Sequence, residues 1–275
     1  MKTFLTLWLI VLIALPESAP GEEPDEASPV FQDGEVLQYK VKWTLFRLGT
    51  LTFRTFRDST CRGLHDYKVA LYAESNPDIG IIWLRGYFES TMDAASLTSK
   101  GVWVLERDRE KFIETRATLD EETRRLGYLI LDKNTGDTIV EDTLENVISC
   151  CQCPSLLSFA RSVSDRTGLY RVPTFVDRTM ATTEVIFRGE KEEIEIDALE
   201  SPVRTRMFSG ETKWGEGKGV AGFSGHFSGW FTDDDAAVPV RAEMKVIVGS
   251  VVVELEKWDR PGWVPPTVSD ATASN

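Results

Sequence analysis

Strict alternation of apolar and polar residues, repeated in many short runs, is what most narrows the folds open to this chain. In "EVLQYKVKW", residues 35–43, Leu37, Tyr39, Val41 and Trp43 share one side and Val36, Gln38, Lys40 and Lys42 the other. That period of two belongs to a half-buried strand. After a turn at Gly49, "LTFRTF" repeats it with Leu51, Phe53 and Thr55 inward and Thr52 and Arg54 outward. "YKVALYAES", "GYFESTMDA", "GVWVLERD", "KFIETRATLD" and "RRLGYLILD" continue the pattern between Asn, Asp, Gly and Ser breaks. The second half returns to it in "ATTEVIFRG", "EKEEIEID", "TRMFSGET", "GFSGHFSGWF", "VPVRAEMKVIVG" and "SVVVELEKW". Asn134-Thr135-Gly136 sits between two such runs as a hairpin turn, where glycine supplies the positive φ.

One stretch breaks the rule. In "CPSLLSFARSVSDR", Leu156, Leu157, Phe159, Ala160 and Val163 recur near helical spacing behind Pro154, which suits a first turn. A helix over 154–164 is predicted there. The expected fold is all-β: a single strongly curved antiparallel sheet system, barrel-like or sandwiched so that its edges are hidden, with that one short helix.

The first residues read as an export signal. Lys2 is followed by an apolar run from Phe4 to Leu15, closed by Pro16, which is too short for the roughly 20 residues a membrane-spanning helix needs. Residues 1–21 are therefore taken as a signal peptide, 22–30 as a charged, proline-bearing linker, 31–260 as one all-β domain and 261–275 as a flexible tail. No transmembrane segment is expected after the signal peptide, and the expected location is periplasmic or secreted. A net charge of −13, with no dense Lys/Arg stripe, excludes nucleic acid and makes anionic membrane surfaces poor partners.

Export also sets how Cys61, Cys150, Cys151 and Cys153 are read, since thiols tend to pair in an oxidising compartment. A disulfide from Cys61 to one of the cluster is preferred, with pairing otherwise open. Zinc fits less well because its sites favour two separated C-x-x-C pairs. No metal and no cofactor are expected.

Three stretches could carry chemistry. Gly217, Gly219 and Gly222 spell G-x-G-x-x-G, but a strand pattern follows where the dinucleotide fold needs a helix. His226 lies beside Ser224 and Ser228 on the polar side of that strand, while Phe227 and Phe231 share the other side with Gly225 and Gly229. Neither His226 nor His65 has a neighbour at metal-ligand spacing. Asp233, Asp234 and Asp235 lack the spaced acids of a calcium loop and read as a turn. Glu89, beside bulky aromatics, is the remaining carboxylate candidate. If the chain were a hydrolase, Glu89, His226 and Asp234 would be its catalytic groups.

"FQDGEVLQYKVKWTLFRLGTL", "GYFESTMD", "CPSLLSFAR", "ATTEVIFRGEKEEIEI" and "GWFTDDDAAVPVRAEMKVIVGSVVVEL" together resemble the domain-of-unknown-function family numbered thirty-one-zero-eight. The matching features are Gly34-Glu35-x-Leu37-x-Tyr39, the Gly49 turn, Glu89-Ser90, and the terminal strand pair with Trp230, Asp234, Pro239 and Gly249-Ser250. The resemblance runs over about 31–258 and departs at the cysteine cluster. It implies an exported, strand-rich protein of the bacterial envelope and carries no established catalytic residues.

The expectation is thus a non-catalytic envelope protein binding an apolar ligand or an envelope component such as a lipid, lipoprotein or polysaccharide. Trp43, Phe53, Phe88, Phe227 and Trp230 would line its site. An envelope hydrolase and a structural adaptor of the periplasm are the competing classes, and the oligomeric state is left open.

Overall fold

The computed structural model describes residues 28–79, 85–108, 110–213, 225–245 and 250–268. Alternation becomes strands β1 (Glu35–Trp43), β2 (Phe46–Phe56), β3 (Asp66–Ser75), β4 (Arg85–Asp93), β5 (Ser99–Asp108), β6 (Lys111–Asp120), β7 (Arg125–Asp132) and β8 (Thr138–Leu144). Helix α1 (Cys153–Ser162) follows, then β9 (Gly168–Val176), β10 (Thr179–Ile194), β11 (Val203–Lys213), β12 (Gly225–Thr232), β13 (Pro239–Lys245) and β14 (Ser250–Asp259).

The fourteen strands among the described residues form one antiparallel sheet in the order β8-β7-β6-β5-β4-β3-β2-β1-β14-β13-β12-β11-β10-β9. Among the described residues, only the β1–β14 pairing joins strands distant in sequence. The chain therefore meanders outward on both sides of one central seam. The free ends curl towards each other: Tyr128 of β7 packs on Phe175 of β9 with ring centroids 5.5 Å apart. The Phe175 N–H donates to Cys151 O (2.9 Å) in the segment before α1. Side chains and this connection, rather than a strand ladder, bring the edges of a barrel-like sheet together.

Helix α1 sits against β3 and β4. It starts one residue before the predicted 154, because Gln152 and Ser155 cap it reciprocally ahead of Pro154, and its last residue is Ser162. Leu156, Leu157, Phe159, Ala160 and Val163 join Leu37, Phe53, Val69, Met92, Phe187, Phe208 and Phe231 in the larger core. Phe88, Val102, Val104, Leu119, Leu126, Tyr128 and Phe175 form a second one. The concave side is thus filled by a helix and aromatic rings. Phe208 and Phe231 stack at 4.5 Å, where Gly229 leaves the space that the Phe208 ring occupies.

Two sequence-based boundaries move. Ser28 already donates its N–H to Ala94 O (3.1 Å) and Val30 is buried, so residues 28–30 of the expected linker are packed on the domain. Residues 261–268 do not behave as a flexible tail: Val268 N–H reaches Pro202 O, Arg204 N–H reaches Pro266 O, and Thr267 bridges to Val203. Trp258 and Trp263, packed edge to face at 6.1 Å, fasten this segment to the end of β14. Residues 1–21 lie outside the described residues, as do Gly217, Gly219 and Gly222. Among the described residues, no helix is long and apolar enough to cross a membrane.

Candidate functional site

Alternation directs Glu35 to the same side as Leu37 and Tyr39, and so places a carboxylate in the core. There it meets Arg161 of α1, whose two terminal nitrogens each donate to a Glu35 oxygen at 2.8 Å. Arg260, just beyond β14, closes on Glu35 from the other side. The remaining donors of both arginines reach main-chain carbonyls of Ala236, Ala237, Pro29 and Val30. Burial alone would raise the Glu35 carboxyl, but the two guanidiniums outweigh it and hold it below its ordinary value. Every group in the triad is engaged, so it ties β1, α1, the β12–β13 turn, the Pro29–Val30 segment and the end of β14 together and offers no free acid or base.

A second charged cluster lies on the opposite face of the sheet. The tip of the β10–β11 hairpin, residues 195–202, folds back over β14 and β1. The Asp197 N–H donates to Glu254 (3.2 Å), and the Asp197 carboxylate takes the ammonium groups of Lys40 and Lys42. Glu192 and the Trp230 indole N–H, bonded at 2.8 Å, hold the stem of the hairpin down. Lys40, expected on a wet face, is buried by this cover and also pairs with Glu254 at 2.7 Å. The two ammonium groups bring the Asp197 carboxyl down to about 2.

The cover leaves a cleft of about 620 Å³ lined by Lys42, Thr44, Glu195, Asp197, Ser201, Arg241 and Glu254 among others. Lys42 and Arg241 are each about one-third exposed there. Cations, carboxylates and hydroxyls outnumber the apolar lining of Ile196, Leu199 and Val252. Such a surface can hydrogen-bond a polyhydroxylated or charged ligand and has little to offer an acyl chain.

The residues singled out from sequence lie elsewhere. Glu89 accepts from Lys68 (2.7 Å) and the Tyr87 hydroxyl (2.6 Å). Asp234 accepts from the Thr232 hydroxyl, the Ala237 N–H and the Trp263 indole N–H. His226 is exposed and faces Glu211 at 3.7 Å. The three share no partner, and two of them are already occupied by structural bonds. Asp233 binds Lys191 and Arg206, so the aspartate run is a turn with specific anchoring duties.

Of the five expected lining residues, Phe53 and Phe88 are core. Phe227 packs against the core, and Trp230, on β12, is bonded to Glu192 in the stem of the β10–β11 hairpin. Trp43 closes the β1–β2 ladder opposite Phe46. None of the five lines the cleft. The preferred Cys61 disulfide is not formed. Cys61, Cys150 and Cys151 are free thiols, with Cys61 in the β2–β3 turn near Asp58 and Cys150 buried against Ser99. Among the described residues no group of His, Cys, Asp and Glu could hold a metal ion.

Sequence reasoning missed both charged clusters. Glu35 could have been found, because its place in the alternation points a charge inward. Lys40 could not, since its cover comes from Asp197, far along the chain.

No family model and no curated protein matches the chain. Among solved structures it is similar to a β-barrel-like protein of the domain of unknown function DUF1849 from Brucella abortus, with a TM-score of 0.50 and 12% identity over 82% of this chain and 97% of that one. The likeness shows a shared β-barrel-like fold.

Proposed function

We propose that this is a non-catalytic, exported envelope protein, related to the thirty-one-zero-eight family, that binds a polysaccharide component of the envelope. The observation that carries this reading is the polar cleft under the β10–β11 tip, whose lining combines cations, carboxylates and hydroxyls. A sugar polymer presents the same mixture of donors and acceptors. The concave side, where an acyl ligand would have to lie, is occupied by α1 and the aromatic core.

Calorimetric titration with soluble peptidoglycan and lipopolysaccharide-derived glycans tests it. Lys42→Ala combined with Arg241→Ala should weaken binding tenfold or more, because each charge-assisted hydrogen bond contributes about 1.5–3 kcal/mol. Retention of acyl ligands with no glycan binding would overturn the reading.

A further inference from the structure

The outer face of β3–β7 departs from the polar pattern that alternation usually gives a solvent-facing side. The period that sends Phe88, Val102 and Val104 into the core sends Tyr72, Tyr87 and Trp103 outward, where all three are partly exposed. Tyr72 stands opposite Tyr87 on the neighbouring strand, and the Tyr87 and Trp103 rings meet edge to face at 5.4 Å. Their polar edges are already fixed. The Tyr87 hydroxyl donates to Glu89 (2.6 Å), which Lys68 also holds, and the Trp103 indole N–H donates to Glu114 (2.8 Å). Glu114 lies on this same outer face yet its side chain is 1% exposed, because Trp103, Arg116 and Lys133 close over it. The rings are thus locked by their edges, and they offer a ligand their π faces.

A hollow adjoins this platform. Trp103 pairs with Arg116, Arg116 with Leu129 and Leu129 with Glu141. In a neighbouring row Gly127 lies between Thr118 and Thr143, and a Cβ at Gly127 would meet nothing within 4 Å. The absent side chain leaves a trench of about 420 Å³, to which Arg116, Thr118, Glu141 and Thr143 bring charges and hydroxyls. From β3 to β8, platform and trench form a strip about 24 Å long across the strands.

We infer that this strip is a second glycan-binding surface, on which a polysaccharide runs across the strands with one ring stacked on Trp103 and neighbouring hydroxyls bonded in the trench. A pyranose ring has an apolar face that matches an aromatic one, and a rim of hydroxyls that needs donors and acceptors beside it. Trp103 next to Arg116 places both within one strand spacing. Shape selects against a second copy of the chain, since two convex faces touch over too little area for a stable dimer. A thin polymer can follow the curve. The cleft under the β10–β11 tip shares no lining residue with the trench. The inference takes up the ligand class proposed for that cleft and rests on separate groups.

The experiment titrates the full chain with soluble peptidoglycan strands in a calorimeter. Gly127→Gln puts a side chain into the trench without disturbing the packing, and should weaken binding about tenfold or more with the urea midpoint unchanged. Trp103→Ala should weaken binding about as much, whereas Trp103→Phe, which keeps a ring and loses only the bond to Glu114, should retain most of the affinity. Lys42→Ala with Arg241→Ala is the comparison. If that pair lowers affinity while Gly127→Gln and Trp103→Ala do not, the outer surface is overturned and the cleft reading stands. The reverse result keeps the outer surface and removes the cleft. A wild-type chain that binds no strand overturns both. Sedimentation that finds a dimer in the wild type and a monomer in Gly127→Gln, with glycan affinity unchanged, would mark the face as a protein interface and overturn the inference.

Discussion

Arg161 and Glu35 meet face to face in the core, two hydrogen bonds of 2.8 Å joining a helix to the first residue of the first strand. Their side chains are 1% and 0% exposed, and Arg260 supplies a second guanidinium to the same carboxylate. Removing the carboxylate leaves two buried cations facing each other without compensation. Glu35→Gln should therefore destabilise the fold by about 3–5 kcal/mol in urea titration. Arg161→Met, which leaves Glu35 with Arg260, should cost less than that. Equal losses would show that Arg260 alone does not compensate the buried Glu35 carboxylate.

The same carboxylate sets an acid limit. The folded-state value of Glu35 lies below its ordinary one, where burial is outweighed by Arg161 and Arg260. Glu114, where burial is outweighed by Lys133, Trp103 and Arg116, lies at about 2. A depressed carboxylate contributes stability that is present above the unfolded pKa, about 4.3, and lost as pH falls through the folded one. Urea midpoints should be flat with respect to these groups from neutrality down to about pH 5 and should fall steadily below it. Glu35→Gln should flatten that fall. Asp197 is also lowered, but its carboxylate is 70% exposed, so screening leaves it a minor share.

Strand content, hairpins and the helix could be read from the chain because each is a local pattern. Phe227 and Phe231 alternate with His226 and Trp230, and the register confirms the two faces. The long-range charged contacts were not readable in that way. Arg161 sits in an apolar helical stretch and Asp197 in an acidic run, and nothing near either names Glu35 or Lys40 as its partner. The β10–β11 ladder shifts register between Phe187 and Lys191, before the hairpin reaches the tip that covers the cleft. A bulge of that kind leaves no period to detect.

Gly210 tests how closely the inner face is packed. A Cβ there would lie 2.5 Å from the main-chain oxygen of Glu184 and 2.3 Å from Cζ of Phe227. The ring can rotate, but the β10 backbone cannot retreat without breaking its ladder with β11. Gly210→Ala should cost about 1–3 kcal/mol, read as a lower urea midpoint with an unchanged slope. Gly127, where an added Cβ meets nothing within 4 Å, is the control: Gly127→Ala should leave the midpoint the same or raise it.

The thiols should separate by rate. Cys61 is partly exposed, whereas Cys150 and Cys151 are buried. Burial pushes the Cys150 thiol up to about 12 and raises that of Cys151 as well, so the reactive thiolate is scarce at neutral pH. Cys150 Sγ also lies 3.2 Å from Ser99 O, to which it donates. An aromatic disulfide reagent at pH 7.5 should modify Cys61 promptly in the native protein and Cys150 and Cys151 only after urea is added. Peptide mapping of the labelled sites would decide it. Rapid native labelling of Cys150, or recovery of Cys61 in an oxidised pair, would overturn this arrangement of thiols.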